Sequence, residues 1–142
     1  MYYTAKITQD PEEKREAYNI EFPDVPGAIS CAFSMAEAME YAQDALDMTL
    51  EDVLEGRMAL PECKTEPDEK KGLYRIDVGA RTATALEIYR AKGGMKAATV
   101  AKKMGMTPQS FTRLLKPSSN VSVAMLDRFA KAVGKRLVIT FE

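Results

Sequence analysis

The stretch LYRIDVGARTATALEIYRAKG, Leu73 to Gly93, changes its hydrophobic period halfway. Tyr74, Ile76 and Val78 alternate with polar residues, the repeat of a strand with one buried face. From Ala80 the alternation stops. Ala83, Leu86, Ile88 and Tyr89 return at helical spacing until Gly93-Gly94 ends the run. Strands before this boundary and helices after it predict an α+β chain of two domains, 1–79 and 80–142.

Upstream, three more segments carry the period of two: Tyr3, Ala5, Ile7, then Tyr18, Ile20, Phe22, then Ile29, Cys31, Phe33. QDPEEKRE, Gln9 to Glu16, reads as a hairpin connection, and the prolines and glycine of FPDVPGAIS separate the next pair of strands. Ser34 and Glu37 form a capping box opening a helix that runs to about Leu54. Its apolar stripe is Ala38, Met39, Ala42, Ala45, Leu46, Thr49, Leu50 and Val53. Glu40, Asp44, Asp47, Glu51 and Glu55 make the opposite face acidic. PECKTEPDEKKG, Pro61 to Gly72, is a loop or partial linker before the fourth strand. The N-terminal domain is therefore expected to be βββαβ, with one helix over one sheet face.

Downstream, helix two is expected over Lys96 to Met104, packing Ala97, Val100, Ala101 and Met104. Gly105-Met106 turn the chain, Thr107 caps helix three, and Pro108 occupies its first turn, where a missing N–H costs nothing. Helix three runs to about Leu115 and buries Phe111, Leu114 and Leu115. Ser122 caps helix four, with Val123, Leu126, Phe129, Ala130 and Val133 inward to Gly134. KRLVITFE closes the chain as a strand. Two short helices around a glycine turn are the sequence form of a helix-turn-helix. Gln109, Ser110, Thr112 and Arg113 are residue types that contact bases or phosphates, with Thr107 at the cap and Lys102, Lys103 and Lys116 supplying charge to the backbone.

The formal net charge of −1 conceals a division. Residues 1–79 hold 8 Lys+Arg against 18 Asp+Glu, a net of −10, and residues 80–142 hold 12 against 3, a net of +9. The basic half suits a polyanion, double-stranded DNA, and the acidic half suits a basic protein. The chain contains no histidine, which removes Ser-His-Asp, Cys-His and His-metal chemistry together. No catalytic residue, metal site or cofactor is expected, and the acidic helix face reads as a solvated surface rather than a metal site for nucleic-acid cleavage. Cys31 and Cys63 lack metal-ligand spacing and read as one buried small hydrophobe and one loop thiol. No apolar run approaches the roughly 20 residues that cross a bilayer, so a cytoplasmic protein without a membrane partner is expected.

FPDVPGAIS, then SMAEAMEYAQDAL, then LPE resemble the HicB antitoxin family. Phe22, Pro23, Asp24, Pro26, Gly27, Glu37, Ala38, Ala42, Ala45, Leu46 and Pro61 carry the resemblance; Ala32 stands where the family often has glycine. Residues 80–134 look like the repressor-type (XRE/Cro) helix-turn-helix found at the end of some members. The resemblance implies a partial RNase H-like N-terminal fold without catalysis, covering the active site of a HicA-type mRNA-cleaving toxin. It implies a second domain that represses the operon encoding both proteins. Phe22, Asp24, Glu40, Asp44, Asp47 and Glu51 are the residues expected to face the toxin. Leu137, Val138, Ile139 and Phe141 are expected to join two copies into a dimer, because a lone strand needs a partner and two-fold symmetry matches palindromic half-sites. The other function this pattern admits is a stand-alone helix-turn-helix repressor with an N-terminal ligand-sensing domain.

Overall fold

The computed structural model describes residues 1–10 and 17–142; the connection expected over Gln9 to Glu16 lies outside the described residues from position 11 on. The chain divides into two compact units, Met1–Ala80 and Arg81–Glu142.

The first unit contains β1 (Tyr2–Asp10), β2 (Ala17–Glu21), β3 (Ile29–Ala32), α1 (Met35–Leu54) and β4 (Leu73–Asp77). The strands form one antiparallel sheet in the order β3-β2-β1-β4, so the last strand returns beside the first. Tyr3, Ala5, Ile7, Ile20 and Ile76 are buried, and so are Ala38, Ala42, Leu46, Leu50 and Val53 of α1. Spacings of three and four put these helical residues on one stripe, where burying a full aliphatic side chain contributes about 1.5–3 kcal/mol. Between β2 and β3 the chain folds on itself: the Phe22 N–H donates to the Ala28 carbonyl (3.2 Å) and the Val25 N–H to the Phe22 carbonyl (3.1 Å). Gly27 sits at φ +89°, a conformation that residues with a Cβ rarely adopt.

Ser34 caps α1 by accepting from the Glu37 N–H at 3.1 Å. The reciprocal arm differs from a simple capping box, because the Glu37 carboxylate reaches past the cap to the Phe33 N–H at 3.2 Å. The third strand reverses the expected pattern. Ser30 and Ala32 stand opposite Ile20 and Tyr18, and Ala32 is buried, while Ile29, Cys31 and Phe33 are all exposed. A one-residue offset in a period of two exchanges the faces, and the small side chains are the ones that fit beneath α1. Cys31 is thus not a buried hydrophobe. Met39, at 37% exposed, also lies outside the core.

The Pro61–Gly72 segment is a pinned loop and not a linker. The Tyr3 hydroxyl donates to the Pro61 carbonyl and the Thr4 hydroxyl to the Thr65 carbonyl, both at 2.6 Å. A 3₁₀ turn, Glu69–Lys71, leads into β4.

The second unit comprises α2, which starts at the boundary (Ala80–Lys92), α3 (Ala97–Met104), α4 (Pro108–Arg113) and α5 (Val123–Ala132). Ile88, Val100, Ala101, Met104, Phe111 and Phe129 form its core. Phe111 and Phe129 stack with ring centroids 6.0 Å apart. On α2 the buried residues are Thr82, Ala85, Leu86 and Ile88, with Ala83 and Tyr89 only partly covered, a shift of the expected stripe. Helix α4 ends at Arg113, two residues before expectation. Leu114, Leu115 and Lys116 continue in three-residue turns, because Pro117 disfavours α conformation in the residue before it. Val123, the first residue of α5, is 59% exposed and lies outside the core.

The expected C-terminal strand is absent. Lys135–Glu142 carries no strand, and the described residues of this unit contain no other strand with which to build a ladder. Strand is a property of pairs, so the period of two in KRLVITFE cannot establish one in a single chain.

Candidate nucleic-acid and partner surfaces

The turn between α3 and α4 follows from Gly105, which takes a left-handed conformation (φ +69°). Its N–H donates to the Lys102 carbonyl (3.1 Å), and the Met106 N–H donates to Ala101 (3.0 Å), so two end carbonyls of α3 are satisfied. The Thr107 hydroxyl then accepts from the Ser110 N–H at 3.2 Å and caps α4. The Arg128 guanidinium, from α5, donates to the Met104 carbonyl and ties a cation to the negative end of α3. Sequence reasoning missed Arg128; a basic residue in an otherwise apolar-faced helix gives no sign of which carbonyl it will meet.

Lys102, Lys103, Gln109, Thr112, Arg113 and Lys116 are exposed, and none of the ion pairs among the described residues engages the basic ones. The expected set separates by hydrogen bonding. Thr107 is occupied as the cap, and the Thr112 hydroxyl donates to the Pro108 carbonyl at 2.8 Å. Ser110 is half-buried and accepts from the Thr107 hydroxyl at 3.0 Å. Gln109 and Arg113 remain on one exposed helical face, four residues apart, flanked by lysines.

The residues expected to face a protein partner divide as well. Phe22 is 4% exposed and belongs to the core. Asp24 is a loop anchor: one carboxylate oxygen accepts the backbone N–H groups of Thr65 (2.7 Å) and Lys64 (2.9 Å). Desolvation opposes its ionisation, yet these two donors together with the Thr65 side chain and the Lys64 charge outweigh that and hold its pKa below the usual value. Asp47 is half-buried and accepts the Gly79 N–H at 2.9 Å. Burial raises its pKa, with Asp44 and Glu51 adding to the rise and the Gly79 bond opposing it. A Cβ on Gly79 would collide with the Asp47 carboxylate, which would have to move from its present position to admit one. Glu40, Asp44 and Glu51 are the members that remain exposed on α1.

The two aspartates predict opposite pH responses. A depressed folded pKa contributes stability above the unfolded value and loses it as pH falls through the folded one; a raised pKa contributes at low pH and loses it as pH rises. Asp24→Asn is therefore expected to lower the melting temperature at pH 7, with the gap closing as the pH falls below the ordinary carboxylate range. Asp47→Asn keeps the acceptor for Gly79 and is expected to raise it at pH 7, with the gap again closing in acid. Thermal melts across pH 3–7 check both signs (about 3–7, spanning the carboxylate range).

No group of three His, Cys, Asp or Glu side chains among the described residues converges as a metal site, and no helix is long and apolar enough to cross a membrane. Residues 3–72 match the model of the HicB-like antitoxins of bacterial toxin–antitoxin systems. The matched segment, 70 of the 142 residues, takes in β1, β2, β3, α1 and the loop after it, and stops before β4. The chain is 28% identical over 139 residues to antitoxin HicB of Escherichia coli strain K12, covering 96% of each chain. Antitoxin HicB 1 of Photorhabdus laumondii is 26% identical over 138 residues, covering 96% of this chain and 85% of the relative.

Proposed function

We propose that this protein neutralises a small basic toxin of the HicA type by covering its active site, and represses its own operon through α3 and α4 acting as a helix-turn-helix. The charge division carries this reading: net −10 over residues 1–79, within which the family match falls, and net +9 over residues 80–142. Exposed Glu40, Asp44 and Glu51 give the first unit a surface that attracts a basic protein, and complementary charge accelerates encounter more than it deepens affinity. Mixing the full chain with the toxin encoded beside it should give a stable complex whose association rate falls as salt rises. An absence of complex would refute neutralisation.

On the DNA side, Arg113 and Gln109 are assigned to base edges and Lys102 to phosphate. Arg113→Ala or Gln109→Ala should weaken operator binding by roughly 1–3 kcal/mol and relax specificity at one position. Lys102→Ala should weaken all sequences alike and flatten the salt dependence. Fluorescence anisotropy on operator and scrambled duplexes separates the two classes; unchanged operator affinity in both the Arg113 and Gln109 variants removes α4 from the role.

A further inference from the structure

The two edges of the sheet differ. β4, at one end, carries an Arg75–Asp77 ion pair at 3.0 Å, the kind of charged edge that discourages further pairing. β3, at the other end, is Ile-Ser-Cys-Ala, with no charge, no proline and no bulge in its register with β2. The Phe22–Ala28 bond sets the phase of the β2–β3 ladder, so Ser30 and Ala32 bond inward while Ile29 and Cys31 turn their N–H and C=O groups to the open edge. Ile29 is 71% exposed and Phe33 57%. Beside this edge runs a groove of about 340 Å³ between β3 and α1, lined by Ile29 and Ser30 on one side and Tyr41, Asp44, Met48 and Thr49 on the other. Met48 is 73% exposed. Unsatisfied strand backbone, an apolar groove and a carboxylate thus share one strip of surface.

We propose that this strip docks an extended, basic segment of the toxin, which joins the sheet as a fifth strand beside β3. The proposal rests on the toxin-binding reading and adds its location and mode. Backbone hydrogen bonds to Ile29 and Cys31 hold the segment, and its alternate side chains enter the groove against Met48 and Tyr41. A Lys or Arg of the segment meets Asp44. Charge chooses this occupant over a second copy. An isologous β3–β3 seam would set two α1 helices side by side on one sheet face, opposing Glu40, Asp44 and Glu51 to their own duplicates in units of net −10. A basic segment turns the same charges into attraction.

The test uses the full chain and a catalytically inactive form of the neighbouring toxin. Cys31→Pro removes an outward N–H while sparing the inward ladder, a position where an edge strand tolerates proline. Met48→Arg places a cation in the groove at an exposed site where folding is not at stake. Glu69→Arg makes a charge change of the same sign and twice the size in the 3₁₀ turn, away from the groove. Expected are an unchanged melting temperature for Met48→Arg, toxin binding weakened about tenfold or more in both groove variants, and little change in Glu69→Arg. Hydrogen exchange at Ile29 and Cys31 should slow when toxin is added. Toxin affinity like wild type in both groove variants overturns the proposal and leaves neutralisation standing. Weakening by Met48→Arg alone, without slowed exchange at β3, overturns the fifth strand. Lost self-association in Cys31→Pro with toxin affinity intact makes the edge a seam between copies and overturns it too. If the wild-type chain binds no toxin, this inference falls together with the neutralising function.

Discussion

A chain lacking Arg136–Glu142 is expected to sediment as a monomer and to bind operator DNA about a hundredfold more weakly or worse. Helices α2 and α5 leave a groove of about 550 Å³, lined by Ile88, Ala91, Leu126, Phe129 and Val133, with the tail from Lys135 to Thr140 along it. Leu137 is half-buried, but Val138, Ile139 and Phe141 are 65%, 55% and 99% exposed. Three large apolar side chains within four positions are a costly surface for a monomer, and the alternation of Leu137, Ile139 and Phe141 suits an antiparallel pair with the same segment of a second copy. Pairing tail to tail would create the ladder that one chain lacks, and it would supply the two-fold axis that a palindromic operator requires. In a dimer joined this way, losing the tail would remove the second half-site from each binding event and with it the avidity gain. Analytical ultracentrifugation with operator titration checks it. A truncated chain that remains dimeric and binds unchanged would sink the assignment of Leu137, Val138, Ile139 and Phe141 to the dimer seam.

Phe111→Ala is expected to unfold the second unit while leaving the sheet of the first intact. Phe111 is fully buried and stacks on Phe129, and truncating a core phenylalanine costs about 3–5 kcal/mol. A domain of this size has only about 3–9 kcal/mol in total, so one ring is a large part of its stability. Hydrogen exchange should show protection lost across α3, α4 and α5 and retained in β1–β4, with operator binding abolished and toxin binding kept. Protection in α3–α5 equal to that of the unaltered chain would show that the ring contributes little to the core.

Element types were legible wherever a local rule decides them. Ser34 and Glu37 opened α1, Gly105 and Thr107 set the α3–α4 turn, and the apolar stripe from Ala38 to Val53 marked the buried face of one helix. Each depends on hydrogen bonds or spacing within a few residues, so neighbours in sequence carry the information. The candidate surfaces were less legible. An exposed carboxylate and a carboxylate holding a loop look the same in sequence, and only the positions of Thr65 and Gly79 distinguish Asp24 and Asp47 from Asp44.

The sequence by itself determined the four-strand and helix order, the change from sheet to helices near Ala80, and the separation of −10 from +9, because composition, period and charge are local sums. Tertiary structure alone decided which side of β3 is buried, since Ile29, Cys31 and Phe33 have the stronger hydrophobic pattern but Ala32 has the size that fits beneath α1. It also decided that KRLVITFE is not a strand in one chain. Both outcomes depend on what lies opposite a segment in space, and a backbone or side chain acquires that partner only when distant parts of the chain are brought together.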